Sequence, residues 1–313
     1  MRGSSEAELQ ARRARTRGAL LGLAAGDALG TTLEFRAPGS FEPIDDIVGG
    51  GPFRLKPGEW TDDTSMALCL ATSLIEVHGF DARDQMERYC RWAEEAYLSS
   101  NGRCFDIGGT VSAALDAYRR TGNPAAGSKD VYSAGNGAIM RLAPVAMFYF
   151  NDPAANATYA AESSRTTHGA AECVDACRLL AGMLRRALSG AGKSDVLFAD
   201  SGFEGARSIA GIGRGEYRRK SLADIRGSGY VVESLEAALW CFYKTDSFRE
   251  AILQAANLGD DADTTAAVCG QVAGAYYGLP GIPANWLKVL AKGNEITQLA
   301  DALYESATRP AGR

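Results

Sequence analysis

Gly18, Gly22, Gly26 and Gly30 recur at spacing four within residues 6 to about 33, a stretch that reads as one helix. Glycine inside a helix costs about 1 kcal/mol relative to alanine. Four on one face therefore need a compensating contact, and close approach of a second helix is the simplest. A second run shows the same device in Ala266, Gly270, Gly274 and Gly278. Both stripes are expected in crowded helix contacts, and their meeting one another is one way to satisfy both.

No sustained period-two alternation and no repeat of solenoid length occurs in the 313 residues, so the chain reads as nearly all-α. Further helices are expected over 65–77, 81–99, from 110 to 119, over 138–149, 170–188, 230–243 and 248–258, and over 286–307 at the end. Gly/Pro-rich loops are expected over 35–59 and 121–137. No linker stands out. A single compact domain over 1–313 is expected, with residues 190–229 a candidate irregular insertion.

The acids are concentrated at helix starts. Gly259-Asp260-Asp261-Ala262-Asp263-Thr264-Thr265 lies ahead of the second stripe, and Trp60-Thr61-Asp62-Asp63-Thr64 ahead of the helix from Ser65. One Asp at such a place is an ordinary cap. Gathered carboxylates repel and raise one another's pKa unless a cation neutralises them. Carboxylate and hydroxyl oxygens without nearby His or Cys suit Mg²⁺, Mn²⁺ or Ca²⁺ and argue against zinc. Taken singly, Glu34 reads as a surface acid, Asp106 as a cap, and His168 as a cap or packing residue. The turn Ser133-Ala134-Gly135-Asn136-Gly137, feeding the helix expected from Ala138, offers free N–H groups to an anion.

The net charge of −5 favours neither nucleic acid nor an anionic membrane. Arg12, Arg13, Arg15 and Arg17 read as a solvated helix start. The apolar run from Gly18 to Ala25 is cut by Asp27 and is too short to span a bilayer. Seven cysteines without zinc-type spacing, several in apolar runs, read as reduced thiols of a cytoplasmic protein.

Gly22 to Gly30 with Glu34, Thr61-Asp62-Asp63, Gly135 to Arg141, His168 and Gly259 to Thr264 occur in the order seen in ADP-ribosylglycohydrolases. Over roughly residues 17–300 the chain resembles that family, and especially its bacterial branch, which includes the glycohydrolase that reactivates dinitrogenase reductase. The resemblance implies an all-α orthogonal bundle with two divalent cations, Mg²⁺ or Mn²⁺, held by Glu34, Thr61, Asp62, Asp63, Asp261, Asp263 and Thr264. It implies that Asp106 or Glu34 handles the attacking water. It places Gly135, Asn136, Gly137 and His168 on the substrate, an ADP-ribosylated protein, most often modified on arginine, with ADP-ribose the product. Asp260 is excluded, because the family often has Gly there. Gly109 stands where the nitrogenase-regulating relative has Asn, so the same protein substrate is not implied. The alternatives are a serine-linked substrate, a non-catalytic ADP-ribose-binding or structural relative, and a different two-metal hydrolase.

Overall fold

The computed structural model describes residues 5–308. After α1 (Glu6–Gly30) a long loop leads to α2 (Asp62–Val77), followed by α3 (Ala82–Glu95) and α4 (Gly109–Thr121). A second loop leads to α5 (Ala143–Phe148), α6 (Pro153–Thr167) and α7 (Ala171–Ser189). Residues 190–229 hold two short helices, α8 (Lys193–Phe198) and α9 (Arg207–Gly213), and two 3-10 turns. The chain ends with α10 (Val231–Lys244), α11 (Phe248–Ala256), α12 (Ala262–Tyr277), α13 (Ala284–Val289) and α14 (Gly293–Thr308). Among the described residues there is no β-strand, only isolated bridges, and no helix is long and apolar enough to cross a membrane. All seven cysteines carry free thiols.

The two small-residue stripes meet each other. Gly18 lies on Gly274, Gly22 on Gly270, Gly26 on Ala266 and Gly30 on Ala262, so α1 and α12 run antiparallel with their backbones in contact. This is the most extensive helix contact in the molecule. The other helices wrap around it, and buried side chains from most of them form one contiguous apolar cluster. The antiparallel register has a consequence for chemistry. It brings the C-terminal end of α1, with Asp27 and the following Glu34, beside the N-terminal end of α12, with Asp261 and Asp263.

Several expected elements differ. The helix expected from Ala138 begins at Ala143 instead. Pro144 has no N–H to donate, so it suits the first turn of a helix rather than its interior. Gln271 of α12 takes over the freed groups: its Oε1 accepts from Ala143 N (2.8 Å), and its Nε2 donates to the Ile139 (3.0 Å) and Met140 (2.8 Å) carbonyls. The final helix is split because Leu290 is extended and Lys292 has φ +55°. Ala291 there receives the Trp60 indole N–H (2.9 Å) and donates to Gly58 O (2.9 Å), anchoring the long loop just before Thr61. α3 stops at Glu95, where Ala96 turns left-handed. α6 has no counterpart in the expectations.

The arginines of α1 are not solvated either. Arg13 and Arg17 both grip Asp301 of α14 with two nitrogens each, at 2.7–2.9 Å. Arg15 donates to Leu188 O, and Arg12 lies over the Phe150 and Tyr304 rings.

Candidate metal centre

Thr61 occupies the N-cap of α2, yet its own side chain makes no cap bond. The cap comes from α1. Asp27 Oδ1 accepts from Thr61 N and Thr61 Oγ1, both at 2.9 Å. Its Oδ2 accepts from Thr64 N (3.0 Å) and Thr64 Oγ1 (2.6 Å). One fully buried carboxylate thus satisfies two of the orphan N–H groups of a helix start. It also fixes where Asp62 and Asp63 stand. Asp27 was not among the residues singled out by sequence. The available signal was a lone acid in the otherwise uncharged segment from Gly18 to Gly30.

Asp63 and Asp263 face each other across this junction. Thr61 Oγ1 lies 2.9 Å from Asp27 Oδ1, 3.3 Å from Asp63 Oδ2 and 3.4 Å from Asp263 Oδ2. A hydroxyl has one hydrogen, so it cannot serve three carboxylates. Carboxylate oxygens of Asp27, Asp63 and Asp263 lie within 4.8 Å of one another, and so do those of Glu34, Asp106 and Asp263. The two triads share Asp263. Glu34 Oε2, Asp63 Oδ1 and Asp263 Oδ1 are buried and have no hydrogen-bond partner. Buried oxygens without donors, gathered from three separate segments, fit a hard divalent cation.

The electrostatics agree. Burial pushes Asp27 up to about 6. Burial, then the charges of Asp106 and Asp261, push Glu34 up to about 9. Asp106 rises to about 7 through burial and the charges of Asp27 and Asp261. Asp62, Asp63 and Asp263 are raised well above the carboxylate range by burial, with their neighbours adding to it.

Above the acids opens a cavity of about 360 Å³. Glu34, Asp62, Asp106, Asp261, Asp263 and Thr264 line one side, and Gly135, Asn136, Gly137 and His168 the other. Thr61 and Asp63 lie beneath rather than on its wall. Glu34 is 4 % exposed, so it is not the surface acid that its surroundings in sequence suggest. Asp106 is not a cap: Gly108 holds that place on α4, and Asp106 itself has φ +61°. Asp260 is exposed and exchanges backbone hydrogen bonds with Phe35 and Arg36, both at 2.7 Å.

The glycine turn differs from the expected helix start. Asn136 O accepts from both Ile139 and Met140, and the Gly135 and Asn136 N–H groups go to Ser133 and Gly229 carbonyls. The Gly137 and Ala138 N–H groups have no acceptor among the described residues. The Asn136 amide donates to Asp261 Oδ2 (2.9 Å) and Ser234 Oγ (3.2 Å), tying the turn to the start of α12.

The ADP-ribosylglycohydrolase family model matches residues 8–312. The ADP-ribosylarginine hydrolase Tri1 of Pseudomonas putida is 48% identical over 293 residues, covering 94% of this chain and 78% of that one. The ADP-ribosyl-[dinitrogen reductase] glycohydrolase of Rhodospirillum rubrum is 34% identical over 301 residues, covering 94% and 96%. A solved structure titled as an ADP-ribosylglycohydrolase-related protein complex superposes with a TM-score of 0.86 at 44% identity, covering 96% of this chain and 100% of that one. With an all-α fold of the same kind and a family match over nearly its whole length, the chain belongs to the ADP-ribosylglycohydrolase family.

Proposed function

We propose that this enzyme hydrolyses the bond between ADP-ribose and an arginine side chain of a modified protein, using two divalent cations, Mg²⁺ or Mn²⁺. The observation that carries this reading is the sharing of Asp263 between two carboxylate triads, with unpartnered oxygens on Glu34, Asp63 and Asp263. Arginine is favoured because relatives named ADP-ribosylarginine hydrolase are 48% and 45% identical to this chain. Free thiols on all seven cysteines suit a reducing cytoplasm.

Asp27, Asp63 and Asp263 would hold one cation and Glu34, Asp106 and Asp263 the other, with Asp62, Asp261, Thr61 and Thr264 completing the set. Bound there, the cations would fix ribose hydroxyls and acidify a water. Asp106, which lines the cavity, would orient that water and take its proton. The surrounding carboxylates favour the positive charge that builds on the ribose carbon as the glycosidic bond breaks. The Gly137 N–H group, on the cavity wall, would meet the diphosphate. Guanidine is strongly basic and leaves protonated, and the acidic wall tolerates its charge.

Incubation with an arginine-ADP-ribosylated protein tests the reading. ADP-ribose should be released, release should stop with EDTA, and Mg²⁺ or Mn²⁺ should restore it. Full activity in exhaustively chelated, metal-free protein would refute the metal-dependent mechanism.

A further inference from the structure

Arg141 is fully buried, and every acceptor it reaches is neutral. Its guanidinium donates to Gly137 O (2.9 Å), Thr167 Oγ1 (2.7 Å), and more weakly to Ser163 O and Thr166 Oγ1, and it lies over the Tyr89 ring. A buried cation without a carboxylate is costly, so its orienting effect on these few acceptors is strong. Thr167 Oγ1 also stands 2.8 Å from His168 Nδ1.

Thr167 has one hydrogen and two lone pairs. The guanidinium occupies a lone pair, so the hydroxyl hydrogen turns away from it, toward His168. If Nδ1 carried a hydrogen instead, two donors would converge on one oxygen. The Thr167 hydrogen, in a residue with 0% exposure, would then have no acceptor. Only donation from Thr167 to a bare Nδ1 gives the Thr167 hydrogen an acceptor. Burial and the Arg141 charge also hold the imidazolium down to about 3, so the ring is neutral.

The backbone that carries the ring is held on both sides. His168 N donates to Ser164 O (2.7 Å), and Ser164 Oγ donates back to His168 O (2.8 Å). Ser128 O holds the next amide, Gly169 N, at 2.9 Å. The Nε2 edge rests on the glycine turn of the cavity wall. A Cβ on Gly137 would stand 2.7 Å from His168 Cε1 and 3.1 Å from Nε2.

We infer that Arg141 and Thr167 hold His168 as the neutral tautomer with its hydrogen on Nε2, a fixed N–H donor presented to an anionic oxygen of the cavity's ligand. Taking that oxygen to be on the diphosphate rests on the proposed function. Arg141 and Thr167 are positioning residues. The donor stays charge-neutral wherever the enzyme works, so its contribution does not fade as pH rises past the usual histidine range.

Nitrogen-15 NMR of the Mg²⁺-loaded protein reads the tautomer directly. The chain has two histidines, and His78, exposed at the end of α2, is the internal reference. The hydrogen should sit on Nε2 of His168 at pH 7 and remain there, without a second, at pH 5.5. A hydrogen on Nδ1, or an imidazolium, would overturn the inference. Thr167→Val should weaken ADP-ribose binding about tenfold at unchanged metal content, and Thr167→Ser should restore it. Unaltered affinity in Thr167→Val would remove Thr167 from the relay. Wild-type protein that binds no ADP-ribose would refute the functional reading, while the ring spectrum would still decide the tautomer.

Discussion

Gly274 lies so close to Gly18 that a Cβ on it would stand 2.6 Å from the Gly18 carbonyl carbon. Elsewhere a helical Gly→Ala change stabilises by up to about 1 kcal/mol. Here the added methyl meets backbone, which has no rotamer to yield. Gly274→Ala should therefore lower stability by roughly 1–3 kcal/mol, measured as the urea midpoint. A midpoint at or above wild type would show that the two helices do not touch.

The register of that contact sets the site, and Asp27 is the residue that transmits it. Asp27→Ala would strand the Thr61 and Thr64 donors in a buried junction, at a cost of roughly 2–4 kcal/mol. Both metal content and turnover should fall. Asp263→Ala removes one acid from a repulsive cluster instead. It should abolish turnover while the metal-free protein melts at or above the wild-type temperature. Scanning calorimetry of the two variants separates the roles, and a comparable loss of melting temperature in both would contradict the distinction.

How much was readable in advance follows from where each signal lies. The stripes were legible because glycine in a helix is costly at every position, so a run of four demands a partner. The two acidic helix starts were legible because like charges in adjacent residues need a reason. Asp27 was hidden because a single acid in a helix has many ordinary uses, and its partners Thr61 and Thr64 lie more than thirty residues away. α6, with its Ala, Ser and Thr, has no apolar period to detect. The late start of α5 depends on Gln271, whose side chain arrives from α12 and leaves no trace in the local pattern. The arginines of α1 looked solvated because Asp301 stands nearly at the other end of the chain.

Those arginines give an acid-limb prediction. Burial pushes the Asp301 carboxyl up, but the hydrogen bonds and charges of Arg17 and Arg13 more than reverse this and leave it at about 2. A depressed carboxylate contributes stability that is present above its unfolded value, near 4, and lost as pH falls toward 2. Asp301→Asn should accordingly lower the melting temperature at pH 6 and lose less than wild type on acidification from pH 4 to 2. Parallel acid curves for the two proteins would show that the pair contributes nothing there.

The carboxylates of the site make the opposite prediction for metal-free protein. Their folded pKa values are raised, to about 6 at Asp27, about 7 at Asp106 and about 9 at Glu34. A group whose folded value exceeds its unfolded value contributes stability that is complete below about pH 4 and is lost as pH rises through the folded value. Chelated protein should therefore melt at progressively lower temperature from pH 5 to pH 9. A divalent cation replaces the protons, so with saturating Mg²⁺ or Mn²⁺ the decline should largely vanish. The same exchange predicts proton release when metal binds at pH 7, measurable by titration calorimetry in buffers of different ionisation enthalpy. If the chelated protein held its melting temperature across this range and metal bound without releasing protons, the acids would not be the coupled, cation-demanding cluster that their packing implies.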